Sequence, residues 1–156
     1  MVDISDRISL DESDIRPNAA LAEADLREAD LREANLREAD LRGADLREAD
    51  LSEANLREAD FRGADLRSAR FSAARLPGAR LSRTLLAYAD LYQADLKNAD
   101  LAGASLYEAD LTQADLREAN VYGAMLVGVN IDMAGFDESV SVSDLKRMGA
   151  VREQTY

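Results

Sequence analysis

The sequence has no cysteine, no histidine and no tryptophan, and each absence removes a class of activity. Without cysteine there is no disulfide framework, no thiolate metal site and no thiol nucleophile. Without histidine the commonest general base and metal ligand is missing, and with it any conventional Ser–His–Asp arrangement. Aromatic residues are only 5% of the chain although hydrophobic residues make up 47%, so the apolar content is mostly Ala and Leu. No apolar run approaches the ~18 residues that a membrane-spanning helix needs. The first stretch, residues 1–17, is acidic and lacks the basic-then-apolar order of a signal peptide. No glycine loop of the phosphate-binding kind is present, and no segment interleaves basic and aromatic residues. These absences point to a cytoplasmic, non-enzymatic protein with no cofactor and no metal site.

What is there is repetition. Large apolar residues recur every five positions, from Leu21, Leu26 and Leu31 to Leu126, Ile131 and Phe136, giving 24 consecutive centres. Two residues before each centre stands Ala, from Ala19 to Ala134, with Thr84 and Val129 as the only substitutions. The residue just before the centre is usually Asp or Asn, and the two after it are mostly polar.

Ala, Leu, Arg and Glu all favour helices, but the period of five does not. Successive centres would be rotated by roughly 140° around a helix and would leave no apolar stripe. A straight strand fails as well, because side chains alternate with period two and an odd spacing sends successive centres to opposite faces. A chain that bends once per repeat aims every centre, and its Ala, at a common interior. Gly43, Gly63, Gly103 and Gly123 share one repeat position and differ by multiples of twenty. This favours four repeats per turn, with Gly on one demanding corner.

Segments such as Ala24-Asp25-Leu26-Arg27-Glu28 and Ala94-Asp95-Leu96-Lys97-Asn98 resemble the pentapeptide-repeat family. The resemblance spans residues 19–138. It implies an all-β fold, the right-handed quadrilateral β-helix. Twenty-four repeats give about six coils, a tower roughly 29 Å tall at the spacing of paired strands. A solenoid needs caps. Residues 1–18 are expected to form the N-terminal one, with Ile8, Leu10 and Ile15 over Leu21. Ser13-Asp14-Ile15-Arg16-Pro17 reads as an additional weak repeat. Residues 139–156 are expected to form a short capping α-helix and tail, with Ser143 as N-cap and Leu145 and Met148 on the covered face.

The net charge is −12, distributed unevenly. Residues 67–89 contain Arg67, Arg70, Arg75, Arg80 and Arg83 and no acid. Stacking by twenty places Arg70 between Asp50 and Asp90, and Arg80 between Asp60 and Asp100, where an arginine relieves like-charge repulsion. A basic belt that binds an anion or a partner is the alternative. The same stacking gathers Leu85, Tyr88, Tyr107, Met125 and Val127 on one face of the C-terminal half. Exposed apolar clusters of this kind mark protein interfaces, unless the C-terminal tail covers them.

The expected function is therefore a protein–protein interaction scaffold, with a second copy of the chain among the candidate partners. Direct nucleic-acid binding is not expected from so acidic a chain. The family resemblance implies one alternative, a DNA-mimic protein that binds DNA gyrase, inhibiting it or protecting it from quinolones. Residues 19–138 carry 24 acids and 14 bases. That is about one net charge per ~3 Å of tower, against one per ~1.7 Å of duplex.

Overall fold

The computed structural model describes residues 12–138, 140, 145 and 147–150. Its scaffold is an uninterrupted parallel ladder. Bridges join the residue before each centre to its counterpart twenty positions later, from Ala20↔Asp40 through Asp115↔Gly135. Four repeats therefore make one coil, and the tower has four walls of six coils each. The first wall carries the column Ala20, Asp40, Asp60, Arg80, Asp100, Asn120. The second carries Asp25, Asp45, Asp65, Leu85, Ser105, Met125. The third runs from Asp30 through Arg70 to Asn130, and the fourth from Asn35 through Arg75 to Gly135.

The backbone donors of a typical repeat all have partners, which explains why the motif is five residues long. The centre donates to the next coil (Leu21 N–H to the Asp40 carbonyl, 2.8 Å). The second residue after it does the same (Glu23 N–H to Arg42, 2.9 Å). The residue before the centre donates to the preceding coil (Asp40 N–H to Ala19, 2.8 Å). The Ala closes a turn onto the previous centre (Ala24 N–H to the Leu21 carbonyl, 3.1 Å). That leaves the first residue after the centre. Its N–H is taken by the Asp or Asn side chain two residues earlier, as in Thr112 to Asp110 Oδ1, 2.9 Å, and Tyr92 to Asp90 Oδ1, 3.0 Å. This is an Asx turn, and it gives the acidic position of the motif a structural task.

Arg75 lacks such a carboxylate, and Pro77 stands where the donor would have been. Proline has no N–H to satisfy, and it is favoured at the second position of a turn.

The third residue of each turn has positive φ, the mark of a type II turn. It does so at all four corners, and at 18 non-glycine residues, among them Glu48 (φ 62°), Ala73 (φ 56°) and Tyr88 (φ 62°). The twenty-residue glycine spacing thus agrees with the coil length, but no single corner is special.

Inside, the centres and alanines form one continuous core, with Leu31 through Leu76 essentially inaccessible. Thr84 is fully buried in an alanine slot, where its hydroxyl donates to the Leu81 carbonyl at 2.6 Å. Phe61 and Phe71, on the first and third walls of one coil, meet edge to face at 6.2 Å across the interior.

At the N-terminal end a 3-10 turn, Glu12–Asp14, precedes the tower. The first corner is Arg16–Ala19, closed by Ala19 N–H to the Arg16 carbonyl, with Asn18 at φ 59°. The additional repeat is therefore real in backbone but shifted by one residue. Arg16, not Ile15, occupies the centre slot, and Ile15 packs on the core from outside it. Ile8 and Leu10 lie outside the described residues.

At the other end Leu145 and Ala150 are buried, and Met148 packs on the same core. Ser143 and most of the expected capping helix lie outside the described residues. Asp137 finishes the ladder with its side chain, accepting from Glu118 N–H at 2.6 Å where a backbone carbonyl had served in earlier coils.

Candidate interaction surface

The second wall has two unlike halves. In the first three coils it is an ion-pair ladder. Arg47 forks onto Asp45 (2.8 and 2.6 Å) and Arg67 onto Asp65 (2.8 and 2.6 Å). Arg47 Nε also lies 3.7 Å from Asp65 on the next coil. The hydrogen-bonded guanidinium holds each of these carboxyls below the ordinary aspartate range. Across residues 22–28, 42–48 and 62–68, the wall and its bordering corners, there are 11 charged residues.

In the next three coils the same positions, 82–88, 102–108 and 122–128, hold two charged residues, Arg83 and Glu108. Leu85 (43% exposed), Met125 (56%) and Val127 (53%) take the places of aspartate and arginine. Tyr88 and Tyr107 pack edge to face at 5.5 Å. The neighbouring Glu108 carboxylate raises the Tyr107 phenol above its usual range. All five residues expected from the sequence thus lie together on one wall and its adjoining corner.

Three further exposed apolar residues were not foreseen: Tyr92, Tyr122 and Met133. Tyr122, 85% exposed, borders the same wall on its other corner, beside Gly103 and Gly123. Its signal was legible in the stacking, because its column reads Arg42, Arg62, Ser82, Ala102, Tyr122. Among the described residues every large exposed hydrophobic lies between 85 and 133.

The described tail residues meet the edge of this surface. The Gly149 carbonyl accepts from Gly128 N–H at 3.1 Å. A Cβ on Gly149 would stand 3.0 Å from Val127 Cα, so a side chain there would collide with backbone. Leu85, Tyr88, Tyr107 and Met125 stay open beside the described tail residues.

The five arginines of residues 67–83 encircle one coil. Arg67 is forked to Asp65, Arg70 lies 3.6 Å from Asp50, and Arg80 lies 3.7 Å from Asp60. Arg70, Arg75 and Arg80 stand on three different walls, so they cannot close on one small anion together. Arg75 and Arg83 make no ion pair with the described residues. Among the described residues, two open depressions are lined largely by charged groups, one of them running past Arg62, Gly63, Arg83 and Asp100. Among the described residues no cluster of three metal-binding side chains occurs, and no helix is long and apolar enough to cross a membrane.

Comparison with known proteins returns no match among curated proteins. The model for the family of pentapeptide repeats matches in eight copies, over residues 24–63, 34–72, 44–83, 64–101 and 94–132. Among solved structures, HetL, involved in heterocyst differentiation regulation in the cyanobacterium Nostoc sp. strain PCC 7120, is 40% identical over 76% of this chain. The chain spans 58% of the length of HetL, with a TM-score of 0.46. A pentapeptide repeat protein from the Arabidopsis thaliana thylakoid lumen is 32% identical, covering 63% of this chain and 72% of that one, with a TM-score of 0.41. QnrB1, a plasmid-mediated fluoroquinolone resistance protein, is 24% identical, covering 82% and 73%, with a TM-score of 0.42. The sequence match to the repeat model, spread from residue 24 to residue 132, is decisive, and the chain belongs to the pentapeptide-repeat family, a family of right-handed β-helices.

Proposed function

We propose that the protein is a non-catalytic interaction module that engages a protein partner through the apolar half of its second wall. One contrast carries this reading: the same wall changes from 11 charged residues in three coils to two in the next three. A solenoid's walls are otherwise its solvent-facing side. Replacing paired charges by Leu85, Tyr88, Tyr107, Met125 and Val127 works against solubility, and a bound partner offsets that. Tyr and Met are also residue types enriched at interfaces.

The charge arrangement supports this over the gyrase-binding duplex mimic. A mimic needs bare negative charge at regular spacing. Here Asp30, Asp40, Asp60 and Asp115 are each forked by an arginine, and a coil of five arginines divides the column of acids. The filled interior of the described tower supports a binding role over an enzymatic one.

Affinity capture from a lysate of the native host tests the proposal, with the intact chain and with the double variant Leu85→Glu, Tyr107→Glu as baits. Both sites are on the outside, so the variant keeps its fold, checked by circular dichroism. A protein captured by the native chain and lost from the variant is the expected result. Identical captures from the two baits would remove this wall from consideration.

A further inference from the structure

We propose that the uncharged half of the second wall pairs with the same surface of a second copy of this chain, Arg83 of each copy meeting Glu108 of the other. This rests on the reading of that wall as an interaction surface and names its occupant.

The argument begins with the two charges that remain. Arg83 stands on the corner before the wall and Glu108 on the corner after it, one coil further along. They are of opposite sign, and no other charge lies on the wall or its bordering corners in these three coils. Arg83 makes no ion pair with the described residues. In its column it is flanked by Gly63 and Gly103, which offer no side chain to engage it. Buried in an interface with an unrelated apolar partner, Arg83 would be left uncompensated, a costly outcome. A twofold axis supplies the missing carboxylate from an identical surface.

Geometry permits it. In an isologous pair the axis lies in the plane of contact, and if residue i meets j then j meets i. The line from Arg83 to Glu108 crosses the wall obliquely and falls by one coil, about 4.8 Å. The axis that exchanges the two residues passes between Leu85 and Ser105, the smallest side chain of the wall's column in this half. That position lets the two walls approach closely and sets Leu85 against its own image. The same operation carries Met125 toward the partner's corner at Gly103 and Gly123, where a Cβ placed on Gly123 would meet nothing within 4 Å. Because the axis is oblique, the two towers cross. The ladders from Asp25 to Asp65 then diverge instead of facing like charges.

The test is sedimentation equilibrium of the full chain at low salt across the micromolar range. A concentration-dependent dimer is expected. Arg83→Glu and Glu108→Arg should each weaken it about tenfold, roughly 1.4 kcal/mol. The double exchange Arg83→Glu, Glu108→Arg should restore it. A second measurement uses the absence of cysteine. Ser105→Cys places one thiol near the axis and should give a disulfide-linked dimer on mild oxidation, whereas Asp45→Cys, on the charged half, should not. A native chain that stays monomeric, or an exchange that fails to restore pairing, overturns the proposal. If the native chain is monomeric and host capture still depends on Leu85 and Tyr107, self-pairing fails while the interaction surface stands. If capture is independent of them as well, both readings fall.

Discussion

Gly63 and Ala73 occupy equivalent turn positions two corners apart, with φ of 72° and 56°. They isolate a single energy term. A Cβ on Gly63 would touch nothing within 4 Å, so Gly63→Ala adds no clash and removes no contact. Only the backbone responds. An L-residue in the left-handed region costs roughly 1–2 kcal/mol, while glycine loses about 0.5–1 kcal/mol more entropy on folding. The difference leaves Gly63→Ala destabilising by about 1 kcal/mol. Ala73 is exposed and sits at the same kind of corner, so Ala73→Gly should be stabilising by a similar amount. For a chain of this size about 1 kcal/mol corresponds to roughly 2–4 °C in Tm. Thermal unfolding followed by circular dichroism, with both variants and the pair combined, reads the effect. The combined variant should return close to the native value, since the sites are far enough apart to add. If Ala73→Gly lowers Tm, or Gly63→Ala leaves it unchanged, the corners are not governed by backbone conformation and the reasoning fails.

Two further perturbations probe the interior and the surface. Ala99 is 1% exposed in a layer shared with large centres. Ala99→Leu should overpack it and destabilise by ~1–3 kcal/mol, visible as a lower urea midpoint. On the surface, the Arg32 guanidinium hydrogen-bonded to Asp30 holds its carboxyl at about 2. An unfolded aspartate titrates near ~3.9, so this pair's stabilisation is complete above about pH 4 and is lost as the pH falls through 2. Asp115, forked by Arg117 and near Lys97, is lowered in the same sense. Urea midpoints should therefore drop as the pH is taken from 4 to 2, and by less in Asp30→Asn than in the native chain. An equal drop in both would assign the acid sensitivity elsewhere.

The coil was legible because a period of five is incompatible with both regular alternatives. The wall of Leu85, Tyr107 and Met125 was legible because a twenty-residue register turns columns of letters into columns of neighbours. Other features needed coordinates. The repeated Asp reads in sequence as a solvent-facing charge. Its bond to the N–H two residues later depends on the turn conformation, which no letter states. The positive φ at Glu48 and its counterparts was hidden for the same reason, since glutamate gives no hint of a left-handed backbone. Glycine marked the right spacing by occupying a quarter of a demand made everywhere. The first repeat was misplaced by one residue because Ile15 has the apolar character of a centre. Arg16 holds that slot and is exposed. Tyr122 was overlooked although its column was readable. It lies on the corner across the wall from Tyr88 and Tyr107.

The ladder bonds Leu21 to Asp40, and every later coil to the next, along the long axis of the tower. Traction applied at its two ends would therefore act on the coil interfaces in series, and an end coil, held on one side only, would open first, a few bonds at a time. Such an object unwinds like thread from a spool, at low and nearly constant tension, and the remaining turns keep their shape as it shortens.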